Sequence, residues 1–156
     1  FSGAQTPRRG SVRRMKIEDI IRKKGADVVT IAPAATVAEL LELLAKHNIG
    51  AVVVSDDGAT ISGIVSERDV VRRLSKQGAA VLDEQVSAIM TADVKTCGIE
   101  DSLESTAQTM TYGRFRHLPV VQDGKLVAII SIGDVVKNRI DQLTDERNHL
   151  LEYLHT

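Results

Sequence analysis

At 156 residues, 43% of them hydrophobic and 26% charged, the chain has the size and apolar content of one compact domain. Aromatic residues make up only 3% and Trp is missing, so the core must be aliphatic and single-stranded nucleic-acid binding lacks its stacking platforms. The net charge of −1 hides an uneven split: residues 1–14 carry Arg8, Arg9, Arg13 and Arg14 without an acid, leaving 16 basic against 21 acidic residues beyond them.

Taken in chain order, residues 1–14 read as a disordered basic arm or the remnant of a transit peptide, with an arm that touches phosphates as the alternative. Phe1 in place of an initiator points to a fragment or processed form, and Met15 to a native start. Ile17-Glu18-Asp19-Ile20-Ile21 predicts a short amphipathic helix.

From there the chain repeats itself. At an offset of 66, Asp27-Val28-Val29-Thr30 lies over Asp93-Val94-Lys95-Thr96, Thr36-Val37 over Ser102-Leu103, and Asp57-Gly58 over Asp123-Gly124. Past that turn the offset becomes 65, and Ile64-Val65-Ser66-Glu67-Arg68-Asp69 lies over Ile129-Ile130-Ser131-Ile132-Gly133-Asp134. Each copy begins with an extended piece, 28–31 or 94–97. A helix then starts at a hydroxyl cap, Thr36 or Ser102, and buries one face, in copy one Val37, Leu40, Leu41 and Leu44. Two strands joined by an Asp-Gly turn follow, 50–54 and 61–65 or 118–121 and 126–130, before a last helix with Val70, Val71 and Leu74 or Val135, Val136 and Ile140. Each half is thus β-α-β-β-α and, at about 50 residues, too small to stand alone. Two halves packed sheet to sheet are expected to close one core. Val136, Ile140, Leu143, Leu150 and Leu154 extend the last helix as a heptad seam broken at Arg147, fit either to fold back or to meet a second copy.

Enzyme and metal chemistry lack their signatures. Cys97 is alone, which excludes an internal disulfide and points to the cytoplasm or another reducing compartment, an organellar matrix if residues 1–14 are a transit remnant. His47, His117, His149 and His155 show no zinc spacing, and there is no Walker loop, dinucleotide fingerprint or nucleophile elbow. No apolar run approaches the ~18 residues of a membrane span.

The segments Asn48–Val54 and Gly63–Asp69, with their partners Phe115–Val121 and Ala128–Asp134, resemble a pair of CBS domains, the Bateman module, over residues 17–140. The resemblance implies an α+β fold of two tandem repeats in a pseudo-two-fold disc with two clefts, a regulatory rather than catalytic role, and association into a homodimer. It divides the chain into a first repeat with its leading helix at 15–80, a second repeat at 87–140 and a helical extension at 141–156. The implied ligand is an adenosine compound, AMP, ADP, ATP, NAD(H) or S-adenosylmethionine; with no fused domain visible in the sequence, the module is expected to act on a protein partner in trans. A dimeric scaffold with vestigial clefts is the alternative; the acidic body argues against nucleic acid.

The chemistry of the paired Ser-x-x-Asp steps suits that ligand. Ser66 and Ser131 stand at helix starts, where free N–H groups and the helix dipole favour an anion and a hydroxyl can donate to phosphate. Asp69 and Asp134, one turn on, offer carboxylates to ribose hydroxyls. Arg68, Arg116 and His117 are the candidate phosphate partners. Thr30 and Thr96 open the segment that lines the adenine pocket in the family, and Ala32, Ile49 and Ala51 are apolar enough to flank a base. Arg68 aligns with Gly133, and Arg116-His117 with Gly50-Ala51, so the two clefts are expected to differ in phosphate tolerance.

Overall fold

A computed structural model describes residues 14–25 and 27–155. The basic arm lies almost wholly outside them. The chain runs through helix α1 (Ile17–Lys24), strand β1 (Thr30–Ile31), α2 (Val37–His47), β2 (Ala51–Val54), β3 (Gly63–Ser66) and α3 (Glu67–Gln77). A 3₁₀ turn (Gly78–Asp83) and the short α4 (Val86–Ile89) lead into β4 (Cys97–Gly98), α5 (Leu103–Gly113), β5 (His117–Gln122), β6 (Lys125–Ser131) and the long α6 (Ile132–Leu154).

The two repeats form matching three-stranded sheets, β1-β2-β3 and β4-β5-β6, with the first pair parallel and the second antiparallel in each. Their helices begin as the hydroxyl spacing predicts: Thr36 Oγ1 accepts from Glu39 N at 3.2 Å and Ser102 Oγ from Ser105 N at 3.0 Å. The β5–β6 hairpin closes on Asp123-Gly124, both at positive φ (53° and 75°), the two-residue turn whose twist suits flanking strands. In the first repeat the longer connection is held by Asp57, whose Oδ1 accepts from Ala59 N and Thr60 N; these bonds keep its carboxyl far below the usual carboxylate range. The Ala59 carbonyl in turn accepts from Leu126 N at 2.8 Å, tying the hairpins of the two repeats together.

The expectation of one core is corrected. Buried residues gather in two clusters. One unites Ile31, Val37, Leu40, Val52, Val54, Val65 and Val70 with Val86 and Ile89; the other unites Leu103, Met110, Leu118, Val120, Ile130 and Val135 with Ile17 and Ile20. The reason lies in strand alternation. Val52 and Val54 face helices of their own repeat, and neighbouring Ala51 and Val53 are buried on the opposite face. That second face carries Ala51 and Val53 in one repeat and His117 and Pro119 in the other, a contact that belongs to neither cluster.

Each core therefore borrows a helix. α1 precedes the first repeat but packs into the second, and α4, which precedes the second, packs into the first. The entry bonds repeat as well: Leu103 N donates to Met15 O at 2.9 Å, and Val37 N to Glu84 O at 2.9 Å. Isolated bridges Lys16–Ser102 and Gln85–Thr36 lie beside them. This is the pseudo-two-fold arrangement expressed in hydrogen bonds. Ile20→Ala should cost about 2–5 kcal/mol. Hydrogen exchange should rise in β4–β6 before β1–β3; the reverse order would overturn the exchanged packing.

Candidate functional site

Two cavities lie between the repeats. The first, of about 340 Å³, is lined by the start of α3 (Ser66, Glu67, Arg68, Asp69, Arg72), by Asp93-Val94-Lys95 ahead of β4, and by Arg114-Phe115-Arg116-His117 ahead of β5. The second, of about 310 Å³, inverts the contribution: Ile129-Ile130-Ser131 from the second repeat face Asp27, Val29 and Asn48-Ile49-Gly50-Ala51 from the first, with Lys24 of α1. Both volumes sit at the lower end of small-molecule sites, roughly 300–1,000 Å³. Gly50, Ala51 and His117 line both, so the clefts share a wall at the pseudo-two-fold axis.

Both Ser-x-x-Asp steps are capping boxes. Asp69 Oδ2 accepts from Ser66 N at 2.8 Å and from Ser66 Oγ at 3.1 Å, while Asp69 N points back to Ser66 Oγ at 3.4 Å. Asp134 Oδ2 accepts from Ser131 N at 2.9 Å, and Asp134 N donates to Ser131 Oγ at 3.1 Å. The four residues thus start their helices in any case. The bonds above use Oδ2 of each aspartate and not Oδ1. Glu67 N donates to Gly50 O and Ile132 N to Arg116 O, drawing the chain ahead of each central strand against a helix start.

Of the residues singled out from sequence, Ser66, Arg68, Asp69, Ala51, Arg116 and His117 come together in the first cleft. Ser131, Ile49, Ala51 and His117 meet in the second, where Asp134 is joined to the lining residue Lys24. Thr30, Thr96 and Ala32 line neither cavity: Thr30 is half-buried in β1, and Thr96 and Ala32 are exposed.

Sequence reasoning passed over Lys24, Arg72, Lys95 and Arg114. Arg114 is the αL cap of α5 at φ 57°, as Asn48 is of α2 at φ 51°. Asn tolerates that conformation, whereas Arg departs from the usual Gly or Asn. Strained backbone here accompanies a cation placed on the first cleft. The next residue, Phe115, lies against Gly113, where an added Cβ would stand 2.1 Å from its ring. Position 113 must therefore stay glycine for the ring to hold its place at the cleft. The aligned pair Asn48/Arg114 was the signal available in the sequence.

Charge separates the two sites. The first cleft gathers Arg68, Arg72, Lys95, Arg114 and Arg116 against Glu67, Asp69 and Asp93. The second has Lys24 against Asp27, with Asp134 beside it. Burial first, then Lys24, holds the His117 imidazole below its ordinary range, with Asp134 and Glu67 opposing. Burial raises the Asp134 carboxyl, but the Lys24 and Ser131 bonds outweigh it and leave it lowered. Cys97 is buried against Pro119 O, its thiol pushed up to about 12 by burial and by Asp101, which makes it a poor nucleophile. Among the described residues no three His, Cys, Asp or Glu side chains group to hold a metal, and no helix is long and apolar enough to cross a membrane.

Two repeats with paired clefts between them define a class of protein, and comparison with known proteins agrees. The CBS domain family model matches residues 17–76 and 86–141, and the chain belongs to that family. It is similar to the CBS domain-containing protein CBSX3, mitochondrial, of Arabidopsis thaliana, at 31% identity over 88% of this chain and 71% of the relative. It is also similar to the crystal structure of a CBS-domain containing protein from Agrobacterium tumefaciens, at 46% identity and TM-score 0.77, over 80% of this chain and 99% of that one. The fold is shared with the CBS domain pair of protein MJ0100, solved in complex with 5′-methylthioadenosine and S-adenosyl-L-methionine, at 21% identity and TM-score 0.74, over 83% and 99% of the two chains.

A pH dependence follows from His117. Its folded-state pKa is depressed, so the neutral form is the one the fold favours. Its contribution to stability is complete above the unfolded value of about 6.5 and is lost as pH falls through the lower folded value. Melting temperature should therefore drop between pH 7.5 and 5.5, and His117→Gln should flatten that slope. An unchanged slope in the variant would assign the titration elsewhere.

Proposed function

We propose that the chain is a regulatory adenine-nucleotide sensor whose first cleft binds the polyphosphate form, acting on a protein partner in trans. One observation carries this reading: five cations converge on a helix start that also presents the free Oδ1 of Asp69. A helix N-terminus, guanidinium groups and a carboxylate are the donors and acceptor that phosphates and a ribose require. Phe115 and Ala51 supply apolar contact for a base. The adenosine ligands of MJ0100 support the same ligand class.

ATP should bind the first cleft more tightly than adenosine by at least an order of magnitude, and Arg68→Ala with Arg116→Ala should remove most of that preference in calorimetric titration. Equal affinities, or a double variant that binds ATP as before, would overturn the reading. The capping boxes favour a second one, a dimeric scaffold in which Ser66, Asp69, Ser131 and Asp134 only start helices. Absence of binding by any adenosine compound would select it.

In either reading we propose that two copies associate. α3 exposes Val71 and Leu74, and α6 exposes Val136, Ile140, Leu143, Leu150 and Leu154, so the seam does not fold back on its own repeat. An apolar stripe of that length on a charged helix suits a second copy. Sedimentation should give twice the chain mass, and removal of 141–156 should weaken the dimer; a monomer throughout would exclude it.

A further inference from the structure

The two clefts differ by one helical turn. The two leading helices enter by the same bonds, with Met15 matched to Glu84, Ile17 to Val86 and Ile20 to Ile89, an offset of 69. By Asp27 and Asp93 the offset has become 66, so the first leader holds three extra residues. The excess is taken up in helix: α1 runs to Lys24, past Ile20, where α4 stops at the matching Ile89. The added turn ends at Lys24, and α4 carries no counterpart.

Lys24 reaches into the second cleft. Its Nζ donates to Asp134 Oδ2 at 2.6 Å and to the Ile129 carbonyl at 3.0 Å. Ile129 lines that cleft, and Asp134 is the aspartate of its Ser-x-x-Asp step. In the first cleft, Asp69 accepts only from Ser66 among the bonds of the described residues, and the cations around it stand free to meet phosphate.

We propose that Lys24 is an internal occupant of the second cleft and sets its specificity, admitting a nucleoside only when it brings one anionic group that draws the ammonium from Asp134. This rests on the nucleotide reading above. A neutral nucleoside would have to compete with an ammonium for Asp134 and for the Ile129 carbonyl while offering Lys24 no replacement. A nucleoside monophosphate replaces the ion pair, its phosphate taking Lys24 while its ribose takes Asp134. A triphosphate brings more charge than one lysine can neutralise beside Asp27. The two clefts would then sort ligands by charge, the first for polyphosphates and the second for monophosphates.

The test is titration of the full chain with AMP and with adenosine, in the wild type, Lys24→Met and Lys24→Arg. The wild type should prefer AMP by at least tenfold at the second cleft. Lys24→Met should abolish that preference, by losing AMP affinity, gaining adenosine affinity or both, and Lys24→Arg should restore it. ATP binding at the first cleft should be unchanged in both variants. Lys24 is exposed at the end of α1, away from the buried Ile17 and Ile20, so both variants should fold, as a melting curve will show. A preference that survives in Lys24→Met overturns the proposal, as does AMP binding that bypasses the second cleft while ATP still binds the first. Loss of all nucleotide binding by the wild type would instead overturn the broader reading.

Discussion

Ile17 and Ile20 stand near the beginning of the described chain and are buried in the core of its second half, while Val86 and Ile89, ahead of the second half, complete the core of the first. Everything else about the molecule depends on that exchange. A three-stranded sheet with two helices is too small to bury its apolar face, and a borrowed helix makes up part of the deficit. Because the loan is mutual, neither repeat is complete without the other. The faces of the sheets turned away from the helices are brought together, and the clefts form where small and polar residues leave that contact unfilled.

The same exchange decides what each cleft contains. Each draws its helix start from one repeat and its facing loops from the other, so a ligand in either would bridge the two. Binding that bridges two bodies can alter their packing only if it favours one arrangement over another. His117, on the wall common to both clefts, feels burial, Lys24 and Asp134 together, which links the electrostatics of the two sites. The leading helix delivers both structure and charge: the buried isoleucines anchor it, and the turn beyond them carries Lys24.

Residues with two duties were legible only for one of them. The Ser-x-x-Asp steps stand out because they recur, and the sequence places them at helix starts. The bonds show that the backbone N–H of each serine and one oxygen of each aspartate already serve the cap. Arg114 illustrates the opposite case. Taken singly it is a charged residue after a helix; only its αL backbone and its place opposite α3 make it part of a basic cleft.

Duplication, strand and helix order, hydroxyl caps, the Asp123-Gly124 turn and the inequality of Arg68-Gly133 and Arg116-Gly50 were determined by the sequence alone, because they rest on local periodicity, turn chemistry and alignment of the chain with itself. Thr30 and Thr96 could be named from family resemblance, and Ala32 from its size, but not located, since the side to which a short strand end turns depends on its neighbours. Tertiary structure alone decided that the cores are two, that each borrows the other repeat's leader, and that Lys24 enters the second cleft. The reason is distance along the chain. The ion pair joins residues 110 apart in sequence, and no local pattern encodes which of two equivalent cores a short amphipathic helix will enter.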